Sequence, residues 1–336
     1  MCMVKTLIMA GGIGERLWPV SVKKRPKQFH KFGSNKTMIE ETIERMEELT
    51  DETIIITTRE QYPLMQYYLP LFPSENVIFE PMRRNTAPAI ALGSSRFSPE
   101  DIMVIVPADH VIRDKENFLK TLRTAIRFAE SHESLVTIGI TPTHPYTGYG
   151  YIERGNVVDE NDEVYAVKKF HEKPDYETAQ QYFRSGRFLW NSGMFVWRKS
   201  VFDSELSENF PDLFSVICEI KDRPEEIEEI YERLPKISID YGLMERSSRV
   251  VTVQGNFYWN DIGSWDAVYD LLIKDKNGNA IEGEFSTREV KNCLLINHTQ
   301  KKLAISGIDG YILVASSEGT LLCKRGESQG IKEIIV

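Results

Sequence analysis

Three observations predict an α/β fold on a mainly parallel, doubly wound sheet with a small β-domain behind it. Apolar strand-type runs alternate with amphipathic helix patterns from Thr6 to Ile138. A glycine-rich loop follows the first of those strands at once. From about Glu282 the texture changes to short Val/Ile/Leu/Thr runs punctuated by Gly307, Gly310, Gly319 and Gly326, the pattern of hairpins or short stacked strands. The predicted units are residues 1–270 and residues 282–336.

The first strand, Thr6 to Met9, leads into Ala10, Gly11, Gly12, Ile13, Gly14, Glu15 and Arg16. Glycines let backbone N–H groups approach an anion without interference from a Cβ, and Arg16 and Lys27 add charge, which is the layout of a phosphate-gripping loop. It is not a Walker A loop, because the Lys-Ser or Lys-Thr pair is missing. It is not a good dinucleotide fingerprint, because the third glycine is replaced and Pro19 interrupts the helix. A tight strand exit with no ligand is the bland alternative.

Thr37 to Glu40 reads as a capping box, and Ile39, Ile43 and Met46 recur at helical spacing behind it. Residues 53–57, 77–80 and 103–106 are β-branched or apolar runs of the kind covered on both faces of a sheet. Phe118, Leu122, Ala125, Ile126 and Ala129 mark an amphipathic helix over residues 116–130, and residues 135–138 return to strand. In such a sheet ligands lie beyond the carboxyl ends of the strands, where Gly11, Gly12, Glu80 and Asp109 fall.

Composition bounds the function. A net charge of −9 over 336 residues argues against a general nucleic-acid or anionic-membrane surface, so an anionic ligand needs a local cluster. Arg16, Lys23, Lys24, Arg25 and Lys27, with Arg83 and Arg84 later, supply one; a solvated basic loop accounts equally for Lys23 and Lys24. Cys2, Cys218, Cys293 and Cys323 have no paired spacing, so neither zinc nor a disulfide framework is indicated, and a reduced cytoplasmic protein is expected. No segment reaches the apolar length of a membrane span, and no cleavable leader pattern is present.

Asp109 closes a buried strand and Asp261 lies between Trp259 and Gly263. Two carboxylates from separate elements can hold Mg²⁺ against substrate phosphates; a strand-end turn and a helix N-cap before Ser264 are the structural alternatives. Glu172 can accept from sugar hydroxyls and Lys173 can hold a monophosphate, or the two form an exposed ion pair. Asn191 offers a donor and an acceptor, or serves a turn. Glu80 can accept the adjacent N1–H and N2–H₂ of guanine, or can orient Arg83 or Arg84 through a salt bridge. His110, His144 and His171 form no metal set.

In order along the chain, GGIGERLWPVS, RPKQF, EPMRRNTAPAI, PADH, GYGYI, FHEKP, WNSGMF, SIDYGLME and WNDIGSW resemble the motif series of the mannose-1-phosphate guanylyltransferases, a branch of the sugar nucleotidyltransferases. The resemblance runs from about residue 5 to 265. It implies a Rossmann-like, GT-A-like catalytic domain and a left-handed β-helix-like C-terminal piece that serves in contacts of a homodimer. It implies that Ala10, Gly11, Gly12, Gly14, Arg16 and Lys27 hold GTP. Glu80, Asn85, Thr86 and Ala87 would lie by the base and ribose, and Asp109 and Asp261 would bind Mg²⁺ or another divalent cation. Gly148, Glu172, Lys173, Asn191 and Asp261 would hold mannose 1-phosphate, and Asp240 would line the same pocket without an assigned task. The implied products are GDP-mannose and pyrophosphate, with Arg16, Lys27, Asp109 and Asp261 as the catalytic set. Many bacterial relatives continue into an isomerase domain; a single activity is expected here. A different sugar 1-phosphate or nucleobase, or a silent sugar-nucleotide sensor, are the rival readings.

Overall fold

The computed structural model describes residues 2–334. Its central sheet has nine strands: β1 (Val4–Met9), β2 (Glu52–Thr58), β3 (Val77–Glu80), β4 (Ile102–Pro107), β6 (Leu135–Ile140), β7 (Tyr151–Asp159), β8 (Val164–His171), β9 (Phe188–Arg198) and β10 (Val250–Gly255). A separate two-stranded ribbon pairs β5 (Val111–Ile112) with β11 (Trp259–Asn260). The order across the large sheet is β3-β2-β1-β4-β9-β6-β10-β8-β7.

The expected parallel arrangement holds for β3-β2-β1-β4 and for β6 with β10. It fails at β9, which runs antiparallel to β4, β6 and β7, so the sheet is mixed. A further parallel strand would need one crossover helix. Here the chain between Ile140 and Phe188 goes instead into the antiparallel β7–β8 pair and the helix α5 (Tyr176–Ser185).

Helices cover both faces. On one, α4 (Lys115–Ser131) packs across β4, β6, β9 and β10, burying Phe118, Leu122, Ala125 and Ala129 as their spacing predicts. On the other, α3 (Thr86–Gly93) lies against β1, β2 and β3. Successive residues of β1 serve opposite cores, Leu7 with α3's cluster and Ile8 with α4's. The predicted capping box is present at α1 (Met38–Met46): Glu40 N–H donates to the Thr37 hydroxyl and Thr37 N–H to the Glu40 carboxylate. The remaining helices are α2 (Tyr62–Tyr68), α6 (Lys199–Asn209), α7 (Pro211–Asp222), α8 (Ile227–Glu232) and α9 (Trp265–Leu271).

The C-terminal strands are β12 (Ala280–Glu282), β13 (Phe285–Lys291), β14 (Leu294–Asn297), β15 (Leu303–Asp309), β16 (Tyr311–Ser316) and β17 (Gly319–Lys324). They form stacked parallel ladders, β12-β14-β16 and β13-β15, and β17 turns back antiparallel on β16. The larger ladder is buried on both faces, with Leu294, Ile296, Ile312 and Val314 packed on Leu17, Val20 and Trp265, and Leu295 and Leu313 facing the smaller ladder. That burial explains the continuous apolar runs read from the sequence. Residues 335 and 336 of the predicted second unit lie outside the described residues.

This coil braces the exit of the glycine loop. The Trp265 indole N–H donates to Trp18 O at 2.8 Å and the Ser316 hydroxyl to Pro19 O at 2.7 Å. Gly319, at φ +151°, lies under the Trp18 ring, and any Cβ there would meet the indole at 2.5 Å.

Candidate active site

The glycine loop is held by its carbonyls. Gln28 Nε2 donates to Ala10 O at 2.9 Å and Gly12 O at 3.3 Å, and Gln61 Nε2 to Gly11 O at 3.3 Å and Gly12 O at 3.1 Å. Arg83 Nε donates to Gly11 O at 3.0 Å, and the two glutamine amides join each other at 2.9 Å. The carbonyls thus point into the protein, and no described residue accepts from the N–H groups of Gly11 or Gly12, which suits an anion. Ala10 differs: its N–H is taken by Ile56 O, so it shapes the loop from behind. Gly14 has φ +77°, and a Cβ there would fall 2.5 Å from the Lys27 Cβ; only glycine lets the lysine stem pass.

Asp109 and Asp261, far apart in the sequence, line one cleft of about 450 Å³ with Gly14, Arg16, Lys27 and Arg83. The β5–β11 ribbon brings them there, because one of its strands starts two residues after Asp109 and the other ends just before Asp261. Lys27 Nζ donates to Asp109 Oδ2 at 2.7 Å and also to Asp261 O, stitching the two loops together. Burial pushes the Asp109 carboxyl up, but the Lys27 charge and hydrogen bond outweigh it and hold the group below its usual range. Burial pushes His110 down to about 4, so its ring is neutral near pH 7. The Trp259 indole N–H donates to His110 Nδ1 at 3.1 Å, which leaves the ring proton on Nε2, 4.0 Å from Asp109 Oδ1.

Asp261 is not the cap of α9. Ser264 caps that helix, accepting from Ala267 N–H, whereas Asp261 Oδ1 accepts from Gly263 N–H at 2.9 Å in a tight turn. Between them Ile262 adopts φ +46°, a strained conformation for a β-branched residue. Among the described residues no three His, Cys, Asp or Glu side chains gather into a metal cage. The donor set present, two carboxylates beside phosphate-type cations, still fits Mg²⁺, which takes one or two carboxylates and completes its shell with substrate phosphate and water.

A second cleft of about 750 Å³ is lined by Asn85, Thr86, His110, Gly148, Tyr149, Glu172, Lys173, Asn191, Lys236, Asp240, Tyr241 and Asp261. Asp261 therefore belongs to both. Glu172 and Lys173 form the ion pair that the sequence left open, at 2.9 Å with both side chains about half exposed (49%/49%). Asn191 Nδ2 donates to Asp240 Oδ1 at 2.8 Å and its Oδ1 accepts from Gly193 N–H, so Asp240 orients that amide. Asp240 opens a π-helical turn, Asp240–Met244, and burial raises its pKa against the pull of the Asn191 hydrogen bond. Gly148 backs onto Tyr146, whose ring a Cβ would strike at 2.5 Å.

Glu80 makes no salt bridge to Arg83 or Arg84 among the described residues. Its Oε1 accepts from Arg84 N–H at 3.0 Å and from the Tyr231 hydroxyl at 2.9 Å, while the Arg84 guanidinium turns to Glu232 O. Asn85 sits at φ +72°, ψ −172°, a region nearly confined to glycine. Thr86 Oγ1 accepts from Ile239 N–H, tying this loop to the segment that carries Asp240. Ala87, expected beside the base, is wholly buried and packs near Gly242. The sequence reading did not single out Gln61, Tyr231 or Lys236, and it named His110 and Trp259 without giving either a task at the site. Gln61 carried a usable signal, lying just past the carboxyl end of a parallel strand; Tyr231 carried none.

The glycine loop, the carboxylate pair and the sheet order define a nucleotidyl transferase, and the chain belongs to that family, whose sequence pattern matches residues 5–278. Within it the chain belongs with the mannose-1-phosphate guanylyltransferases. It is 36% identical to the Klebsiella pneumoniae protein of that name over 99% of this chain and 73% of the relative. A Thermus thermophilus crystal structure, described as a mannose-1-phosphate geranyltransferase, superposes with a TM-score of 0.89 at 31% identity, covering 99% of this chain and 98% of that one. A Helicobacter pylori structure described as a mannose-6-phosphate isomerase gives 0.64 at 29% identity over 77% of this chain and 99% of that one.

Proposed function

We propose that the chain transfers GMP from GTP to α-D-mannose 1-phosphate, giving GDP-mannose and pyrophosphate. The observation that carries this is the meeting of two clefts at Asp261, one that sets Arg16, Lys27 and Arg83 beside the Asp109 and Asp261 carboxylates, the other lined by Glu172, Lys173, Asn191 and Asp240, groups that suit hydroxyls and a monophosphate. A phosphate oxygen of mannose 1-phosphate attacks the α-phosphorus of GTP in line. The new P–O bond forms as the bond to the bridging oxygen breaks, and that electron pair leaves with pyrophosphate. The attacking phosphate is already ionised near neutral pH, so no general base is needed.

Two polyanions must approach, and Arg16, Lys27 and Lys173 offset their repulsion. Gly11, Gly12 and Gly14 cradle the triphosphate, Asn85 and Thr86 flank the ribose, and Gly148, Glu172 and Asn191 hold the mannose. Asp109 and Asp261 would hold Mg²⁺, which when bound neutralises charge on the reacting phosphate oxygens. No helix among the described residues is long and apolar enough to cross a membrane, and the unpaired cysteine spacing supports a cytoplasmic setting. We assign catalysis to residues 1–270 and the stacked strands of 282–336 to a left-handed β-helix-like dimer contact, a reading whose support is the parallel stacking of β12-β14-β16 and β13-β15.

The test is pyrophosphate release across four nucleoside triphosphates and mannose, glucose and fucose 1-phosphates, with and without Mg²⁺. Dominant metal-dependent activity with GTP and mannose 1-phosphate is expected. A different winning pair moves the specificity, and silence throughout overturns the enzyme reading.

Two substitutions probe the substrate sites separately. Lys173→Ala is expected to raise the KM for mannose 1-phosphate about tenfold, the effect of losing one hydrogen bond to a charged group, with the KM for GTP unchanged; a defect confined to GTP contradicts it. Glu80→Gln is expected to reduce the preference for GTP over ATP by at least about tenfold, read as the ratio of kcat/KM values.

A further inference from the structure

We infer that Tyr231 is a positioning residue for base selection, anchoring Glu80 through one oxygen so that the other reads guanine; this rests on Glu80 being the base reader. Tyr231 comes from α8, a short helix that shares a buried core with α3, and its ring is wholly buried there. Its hydroxyl spans 151 positions of sequence to reach Glu80 Oε1 at 2.9 Å. The Arg84 N–H shares that oxygen at 3.0 Å. Among the described residues nothing donates to Oε2, which lies 3.4 Å from where a Cβ on Gly11 would stand. The carboxylate is therefore clamped by one oxygen from behind and presents the other toward the glycine loop.

The clamp also selects a charge state. Burial raises the Glu80 carboxyl, and the groups that oppose this are the Arg84 N–H, the Tyr231 hydroxyl and the Arg83 guanidinium. Tyr231 itself stays protonated, its pKa pushed up by burial and by the Glu80 charge, so it always donates. An ionised carboxylate accepts N1–H and N2–H₂ of guanine. A carboxyl protonated on Oε2 instead donates to N1 of adenine. Loss of the Tyr231 hydroxyl frees the carboxylate to rotate and raises its pKa, and both changes move the site from guanine toward adenine.

The experiment compares wild type, Tyr231→Phe and Glu80→Gln with GTP, ITP and ATP, reading kcat and KM for each and for mannose 1-phosphate, from pH 5 to 8. Phenylalanine keeps the buried ring, and an unchanged melting temperature and mannose 1-phosphate KM report an intact site. Tyr231→Phe is expected to raise the KM for GTP about tenfold with kcat little changed, and to lower the GTP-to-ATP ratio by a similar factor. Because Glu80 is ionised above its pKa and protonated below it, the pH at which GTP preference fades on acidification moves upward in this variant. If Glu80→Gln loses selectivity while Tyr231→Phe keeps both the ratio and its pH dependence, Tyr231 only packs the core and the inference fails. If Glu80→Gln itself keeps the ratio, the base-reading assignment fails and takes the inference with it.

Discussion

Asp261→Asn is expected to lose about 10²–10³-fold in turnover, the scale of removing one preorganised electrostatic group at a reacting centre, while the fold survives. Asparagine retains an Oδ1 that can accept from Gly263 N–H, the 2.9 Å bond that closes the turn. The ribbon that carries the loop is held by backbone pairing between β5 and β11 and by the Trp259 to His110 bond, neither of which involves the Asp261 side chain. The substitution therefore removes one negative charge from the place where both clefts meet and alters the hydrogen bond that the Asp261 side chain shares with the Tyr149 hydroxyl. Pyrophosphate release measures the loss and thermal melting checks the fold. Near-normal turnover takes Asp261 out of the reaction; a collapse in melting temperature makes it a structural residue.

Lys27→Met is expected to lower turnover about 10²-fold and to displace the acid limb of the pH–rate profile. Methionine fills the channel that Gly14 leaves for the lysine stem, so packing changes little. What disappears is the ammonium that donates to Asp109 Oδ2 and to Asp261 O. With Lys27 present the folded Asp109 pKa lies below its ordinary value, so the carboxylate stays ionised well into acid and any stability it contributes is lost only as pH falls through that depressed pKa. Without Lys27 burial is unopposed by its charge and the pKa rises. Activity then fails at a higher pH than in wild type. An acid limb that does not move shows that Asp109 ionisation does not govern the rate.

The local chemistry of this protein is written where it acts. Thr37 and Glu40 are three residues apart and close their capping box without help from the rest of the chain. Gly11, Gly12 and Gly14 announce a backbone that an anion can approach, and the period of Phe118, Leu122 and Ala125 names the buried face of α4 before any partner is known. The same holds for the chemical types just past the strand ends, Glu80, Asp109 and Asp261, which the sequence displays without showing what each will meet.

Which of two plausible tasks each side chain performs was not written there. Glu80 had arginines three and four residues away, yet its side-chain partner is Tyr231 on another helix. Asp261 stood in a cap-like position, yet the cap is Ser264. Asp240 had no readable task until Asn191 was found on it. The direction of β9 depended on how the chain spent the residues before it. The sequence by itself determined the alternation of strands and helices, the glycine loop after the first strand and the carboxylates just past the strand ends, because these follow from the period of burial and from backbone freedom over a few consecutive residues. Only the tertiary structure decided the mixed sheet, the meeting of Asp109 with Asp261 and the anchoring of Glu80, because each depends on elements brought together from across the chain, and no local propensity records which distant group will arrive.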